Sequence, residues 1–133
     1  MSRIYIETTI PSFYYEVREE PTMVARRQWT REWFDTAVES DELVTSAAVL
    51  DELERGSFPG RKSAIEMIQR ITPLQVSADV LEIVREYIER KLMPIDPSGD
   101  ALHLAMASFY DCDFLATWNC KHLANANKFD TSH

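Results

Sequence analysis

Residues 5–14 read YIETTIPSFY and place an acidic side chain at the end of an apolar strand. Residues 3–6 are mostly β-branched or aromatic, which is typical of a buried strand. Glu7 ends this run, two threonines follow it, and Pro11 is expected to open a helical turn, where its missing N–H costs little. The pattern predicts a strand, a turn and a helix, with Glu7 at their junction.

Short apolar strands and amphipathic helices alternate along the rest of the chain. Strands alternating with helices favour a parallel sheet whose strands are joined by helical crossovers. We therefore expect an α/β fold, a three-layer α/β/α sandwich with a mostly parallel central sheet. Further strands are predicted at 43–45, 73–76 and 113–117, and helices at 23–38, 47–55, 64–68, 77–91, 101–110 and 121–124.

The size and composition of the chain are those of one globular domain. Of its 133 residues 45% are hydrophobic and 27% are charged, and no repeat or linker divides them, so we predict a single domain over 1–133. Cys112 and Cys120 are expected to be reduced thiols. No apolar run has the length of a membrane helix or a signal peptide, which predicts a cytoplasmic location.

The net charge limits the partners that the chain can attract. It carries 22 acidic and 14 basic residues, a formal net charge of -8. A nucleic acid would therefore have to bind through a local basic patch or through bound metal ions. Side chains of this kind usually form a solvated surface, but the candidate phosphate contacts are Arg26, Arg27, Arg31, Arg55, Arg61, Lys62 and Lys121.

Three acidic residues fall where the carboxyl ends of parallel strands should converge. Glu7 ends the first strand, Glu52 lies in the helix after the second, and Asp100 lies in the first turn of an apolar helix. Ligands of open parallel sheets bind in the crevice at this edge. If the carboxylates meet, protonation or a hard divalent cation must relieve their repulsion. Mg²⁺ or Mn²⁺ suits an oxygen shell and activates water for attack on a phosphodiester.

Position alone leaves a structural interpretation open for each acid. Glu7 could be an ordinary polar residue at a strand end. Glu52 shares its helix with two other acids, which is typical of a solvated face, and Asp100 would stabilise a helix N-terminus without any metal.

Other residues with reactive or aromatic side chains are expected to be structural. His103, one turn beyond Asp100, lies in an apolar helix and is interpreted as a core histidine with one hydrogen bond, not as a catalytic residue. Trp29, Trp33 and Phe34 are interpreted as core or dimer contacts in preference to a surface that stacks bases.

Three segments together carry a family resemblance. Residues 5–14, 45–56 and 96–119 read YIETTIPSFY, TSAAVLDELERG and DPSGDALHLAMASFYDCDFLATWN. In this order they resemble the three motif blocks of the PIN-domain family, the fold of the VapC-type toxins of bacterial toxin–antitoxin pairs. The resemblance runs from residue 4 to about 123. It implies a small α/β/α nuclease that uses Mg²⁺ or Mn²⁺ to cut RNA, a small antitoxin protein that blocks the acidic crevice, and a homodimer.

The resemblance also implies roles for individual residues. Glu7, Glu52 and Asp100 match the family's metal-binding and catalytic acids, and Asn119 matches a position that assists them. Thr9 and Thr117 match supporting hydroxyls, which are expected to orient a carboxylate or a water.

Three features depart from the family's pattern. Glu7 stands where aspartate is usual and is longer by one methylene, and Asn119 stands where many members carry a fourth acid. The chain ends at His133, where relatives commonly continue, so we expect a shortened C-terminal end. These departures favour an alternative, a catalytically degenerate PIN fold that acts as a binding or regulatory module.

Overall fold

The computed structural model describes residues 1–90 and 99–119. The predicted helix at 121–124, most of the loop predicted at 94–100 and the residues Lys91, Cys120 and Lys121 lie outside the described residues. The elements follow in the order β1 (Arg3–Ile6), α1 (Thr9–Tyr14), α2 (Pro21–Ser40), β2 (Glu42–Ser46), α3 (Ala47–Arg55), α4 (Arg61–Gln69), β3 (Thr72–Leu74), α5 (Ala78–Glu89), α6 (Asp100–Phe109) and β4 (Phe114–Ala116).

Four parallel strands form the described sheet, in the order β3-β2-β1-β4. Tyr5 lies opposite Val44 of β2 and Leu115 of β4. Helices flank the sheet as in a three-layer α/β/α sandwich, so the predicted fold class is confirmed. In chain order, β2 and β3 are added on one side of β1, and β4 is then added on its other side. The reversal creates a topological switch point between β1 and β4, where such sheets bind ligands.

The core centres on β1 and α6. Ile4, Tyr5 and Ile6 are buried in β1, and α6 packs against β1 and α5. The prediction that α6 is central because it is apolar almost all round is confirmed, since it buries most of its length. In α2 the buried residues are Thr30, Phe34 and Ala37.

Two predicted helix starts differ in detail from the structure. The sequence predicts that Pro11 opens α1, but α1 begins at Thr9. Pro11 is tolerated there because the N–H groups of a first turn have no intrahelical partner. Ser46 precedes the helix predicted at 47–55, where a serine is expected to act as an N-cap, yet its hydroxyl bonds the Tyr5 hydroxyl at 2.7 Å and does not cap α3. Ser77, by contrast, accepts a hydrogen bond from the Val80 N–H and caps α5.

Several aromatic residues are more exposed than the sequence predicts. The apolar run within residues 113–117 predicts a buried strand, but β4 is the outer strand of the described sheet and Phe114 is 60% exposed. Trp29 and Trp33 are 60% and 38% exposed, so they are not core residues, and their alternative interpretation as dimer contacts stays a prediction. Phe34 is a core residue as expected.

Some of the candidate phosphate contacts are used within the fold. Arg27 Nη1 donates to the Glu16 carbonyl at 3.0 Å, and Arg31 Nε donates to the Tyr14 carbonyl at 2.7 Å. Arg61 Nη1 donates to the Glu54 carbonyl at 2.9 Å. The guanidinium groups of these three arginines therefore bind backbone carbonyls of the protein itself.

The single cysteine within the described ranges is a thiol. Cys112 is partly buried and unbridged, and burial raises its pKa to about 11, so it stays protonated at neutral pH. Within residues 1–90 and 99–119, no helix has the combination of length and apolar character that crossing a bilayer requires.

Candidate metal centre

The predicted site residues lie at the carboxyl edge of the sheet, next to the switch point. Glu7 follows β1, and Thr117 and Asn119 follow β4. The Glu7 N–H donates to the Ala116 carbonyl at 3.2 Å, which extends the β1–β4 pairing one residue beyond the strand. Glu7 is therefore fixed at the point where the two strands separate.

Glu7 is held through one carboxylate oxygen and is only 4% exposed. Its Oε1 accepts hydrogen bonds from the Thr9 N–H at 3.0 Å, the Thr9 hydroxyl at 2.6 Å and the Thr117 hydroxyl at 2.7 Å. Its Oε2 has no donor among the described residues. Every fully enclosed polar side-chain atom in the described chain has a hydrogen-bond partner. Because Oε2 has none, it is not enclosed and is open to the site.

Glu52 is oriented in a similar way. Asp51 and Glu54 on the same helix are exposed, whereas the Glu52 side chain is only 13% exposed and turns inwards. Its Oε1 contacts the Thr8 hydroxyl and lies 2.9 Å from His103 Nε2. The interpretation of Glu52 as part of a solvated face does not describe its position.

Gly99 lets the backbone approach the free oxygen of Glu52. Its φ is +85°, and a Cβ added there would lie 2.5 Å from Glu52 Oε2 and 3.5 Å from His103 Nε2. Both the backbone conformation and the space therefore require glycine at this position.

His103 connects Glu52 to the core, a contact that the sequence interpretation missed. The ring is fully buried, and its Nδ1 lies 2.8 Å from the Tyr5 hydroxyl, which contacts Ser46. In the neutral ring one nitrogen donates and the other accepts, so the tautomer in which Nε2 donates to the carboxylate leaves Nδ1 to accept from the Tyr5 hydroxyl. Burial raises the pKa of Tyr5, so its hydroxyl keeps the proton that it donates.

Asp100 is placed by Asn119. It is 2% exposed in the first turn of α6, and its Oδ2 accepts from Asn119 Nδ2 at 2.7 Å. The Asn119 N–H donates to the Thr117 hydroxyl at 2.9 Å. Where a fourth acid would repel Asp100, the amide donates a hydrogen bond to it.

Glu7, Glu52 and His103 form the closest group of possible metal ligands in the described chain. One ligand atom from each lies within 4.8 Å of the others, and Asp100 is not part of this group. Both ring nitrogens of His103 already form hydrogen bonds, so the atoms available to a cation are carboxylate oxygens. Oxygen donors are the ligands that Mg²⁺ and Mn²⁺ prefer.

An open groove of about 310 Å³ leads from Glu52 between α3, α5 and the start of α6. Arg55 contributes a guanidinium group to its lining and donates to the Asp51 carbonyl at 3.4 Å. The groove gives a ligand access to the Glu52 carboxylate. It is lined by Ala48, Asp51, Glu52, Arg55, Val84, Ile88, Gly99, Ala101 and Leu102.

Fold and site together define a carboxylate-lined crevice at the switch point of a parallel α/β sheet. Comparison of the chain with protein-family models and with curated proteins finds no match. The PIN resemblance therefore stays a prediction.

Replacing Tyr5 by phenylalanine tests the hydrogen bonds behind Glu52. We expect the free energy of unfolding to fall by about 1–3 kcal/mol, because His103 Nδ1 and the Ser46 hydroxyl both lose a buried partner. Denaturant unfolding measures this loss. The control is Tyr14→Phe, whose hydroxyl bonds exposed Asp35 and should change stability by less than about 0.5 kcal/mol. Equal losses of stability in the two variants would contradict the hydrogen bonds of the Tyr5 hydroxyl with His103 and Ser46.

Proposed function

We propose that the chain is a Mg²⁺- or Mn²⁺-dependent ribonuclease of the PIN type. One observation carries this proposal: Glu7 and Glu52 lie together, each held through Oε1, while Oε2 of each has no donor among the described residues. Neighbouring carboxylates repel each other in a partly buried site. Within 1–90 and 99–119 no Lys or Arg forms an ion pair with either carboxylate, and His103 is the one basic side chain that contacts Glu52. A divalent cation would supply the missing positive charge.

Glu7 and Glu52 are the carboxylates of this group that would hold the ion, and the resemblance adds Asp100. When bound, it would neutralise the carboxylates, polarise a phosphodiester and activate water for in-line attack on phosphorus. Thr9 and Thr117 keep Glu7 in place without adding charge. Hydrogen bonds of this kind to ligating side chains commonly contribute 10- to 100-fold, as an order of magnitude, to affinity or activity.

Three further contacts orient the other two acids. The Thr8 hydroxyl and His103 hold Glu52, and Asn119 holds Asp100. Because each acid is fixed by its own partner, the site is organised before any ligand arrives. His103 thus acts in this proposal as a positioning residue.

The resemblance supplies the biological part of the proposal. We propose RNA as the substrate and a small antitoxin protein as the inhibitor that covers the crevice, and we propose that the chain forms a homodimer. With a net charge of -8, the chain would depend on the bound cation and on local arginines to attract a phosphate backbone.

Asn119 is the observation that favours a second candidate, a binding or regulatory module without turnover. It supplies an amide where an acid would add negative charge, so the ion would be held more weakly. Affinity for the ion separates the two candidates.

A thermal melt with and without Mn²⁺ tests the proposed function. At Mn²⁺ about a hundred times Kd, the melting temperature should rise by roughly 5 °C or more, because binding stabilises only the folded state. Asp100→Asn should lose most of this rise but keep an oxygen that accepts from Asn119. The control is Glu54→Gln, which removes an exposed charge from the helix that carries Glu52 and should keep the rise. A wild-type melt insensitive to Mn²⁺ would exclude the metal site and favour the binding module.

A further inference from the structure

Aromatic rings lie directly beside the candidate metal centre. Trp118 falls between Thr117 and Asn119, and its ring stacks on that of Trp29, with centroids 6.3 Å apart and planes at 18°. Phe13 meets Trp118 edge-on at 6.0 Å. Trp29 is 60% exposed, whereas tryptophan side chains are highly buried on average. We call Phe13, Trp29 and Trp118 the aromatic surface.

The aromatic surface is fixed to the same residues that hold Glu7. The Trp118 N–H donates to the Thr9 hydroxyl at 2.8 Å, and that hydroxyl donates to Glu7. Trp118 Nε1 donates to the Thr30 hydroxyl at 2.8 Å. The ring therefore has a set position relative to the carboxylates, and a ligand on it would be aligned with the site.

Arg26 adds a positive charge to the aromatic surface. Its guanidinium carbon lies 5.4 Å from the Phe13 ring centroid and 5.5 Å from that of Trp118. Arg27 and Arg31 are bonded to backbone carbonyls, whereas no carboxylate in the described ranges forms an ion pair with Arg26. Its charge is therefore available to an anion.

An open groove continues from the aromatic surface along the outer strand. Its volume is about 400 Å³, and Thr117 lies at the end that joins the metal centre. The groove thus offers a ligand apolar contacts that run towards the carboxylates. It is lined by Ile4, Ile10, Trp29, Thr30, Trp33, Phe114, Leu115, Ala116, Thr117 and Trp118.

We propose that the aromatic surface is a binding site for single-stranded RNA, where an unpaired base stacks on Trp29 and a neighbouring phosphate pairs with Arg26. Stacking on aromatic rings and arginine is how proteins hold unpaired bases, and duplexes do not present their base faces. The inference rests on the proposed ribonuclease function, because it names the form of the substrate. A second copy of this chain is the competing occupant. Its binding would not explain why Arg26, beside the metal centre, forms no ion pair with a carboxylate of the described chain.

The first experiment measures affinity for a fluorescently labelled single-stranded RNA and for an abasic RNA of equal length. Both are titrated into proteins carrying Asp100→Asn, so that cleavage does not consume the probe. Adding Trp29→Ala should weaken binding of the base-containing RNA about tenfold and leave the abasic RNA unaffected. Phe109→Ala removes a comparably exposed ring from the far end of α6 and should change neither affinity.

The second experiment tests Arg26 through the salt dependence of binding. Arg26→Ala should reduce the slope of log affinity against log salt by about 0.7, the contribution of one phosphate contact on a single strand. Arg85→Ala, which removes an exposed arginine of α5, should leave the slope unchanged. Trp29→Ala should change the affinity but not the slope.

Unchanged affinity of Trp29→Ala for the base-containing RNA would overturn the proposal. If the same variant also converted a dimer to a monomer in light scattering, a second copy would be the occupant. Cleavage is scored separately with Asp100 intact. Equal cleavage by wild type and Trp29→Ala would contradict the stacking site but leave the proposed nuclease function standing. Base-dependent binding without Mn²⁺-dependent cleavage would contradict the nuclease function but leave the stacking site standing.

Discussion

Replacing Glu7 by glutamine should abolish RNA cleavage while leaving the fold intact. Glutamine keeps an oxygen that accepts from Thr9 and Thr117, so the contacts that hold the side chain persist. It removes the negative charge from the open side of the group, where we propose that the cation binds. The rate should fall at least about a hundredfold, because even residues that only support a metal ligand contribute 10- to 100-fold.

Initial rates with a labelled single-stranded RNA and Mn²⁺ measure this loss. Glu54→Gln is the matched control, since it makes the same chemical change at an exposed position on the helix that carries Glu52. It should retain the wild-type rate, and both variants should melt close to wild type without added metal. A Glu7→Gln protein as active as Glu54→Gln would refute the role of Glu7.

The elements that the sequence predicts well are those whose signal is local. Residues 3–6 form β1 as predicted, because a short β-branched and aromatic run has few other stable arrangements. The apolar helix α6 is central as predicted. The exposure of β4 was not predictable, because hydropathy does not reveal which strand lies at the end of the sheet order.

The position of Trp29 shows how a small error in helical phase changes a functional prediction. The buried face of α2 consists of Thr30, Phe34 and Ala37, spaced i, i+4 and i+7. Trp29 precedes Thr30 by one residue, which turns it by about 100° from that face. Hydropathy alone favours burial of a tryptophan and exposure of a threonine, and the structure has the reverse at Trp29 and Thr30.

The candidate site was predictable in part. The predicted parallel topology places Glu7, Glu52 and Asp100 near one edge, and the resemblance added Thr9, Thr117 and Asn119. The role of His103 was not predictable, because it depends on Tyr5, 98 residues away, and on Glu52, 51 residues away. A histidine in an apolar helix gives no local sign of which distant groups it will meet.

Replacing Gly99 by alanine should damage both stability and activity. A non-glycine residue at φ +85° costs about 1–2 kcal/mol, which should appear as a lower free energy of unfolding. The new Cβ would also lie 2.5 Å from Glu52 Oε2, too close to coexist with the present carboxylate position. Displacement of a catalytic group by about 1 Å can cost about a hundredfold in rate. We therefore expect a comparable loss of cleavage and a smaller Mn²⁺-induced rise in melting temperature.

Gly56→Ala provides the control for Gly99→Ala. Gly56 follows α3 with an ordinary φ of -73°, and a Cβ there would meet only the edge of the Phe58 ring at 3.3 Å and ordinary contacts beyond. Its cleavage rate and response to Mn²⁺ should match wild type, since Phe58 can adjust. A Gly99→Ala protein that lost stability but cleaved RNA at the wild-type rate would show that the position of Glu52 does not matter for catalysis. Loss of cleavage at a temperature where the variant is still folded would instead show that the positions of the side chains beside Gly99, Glu52 foremost, matter for the reaction, because the substitution leaves every charge of the site unchanged.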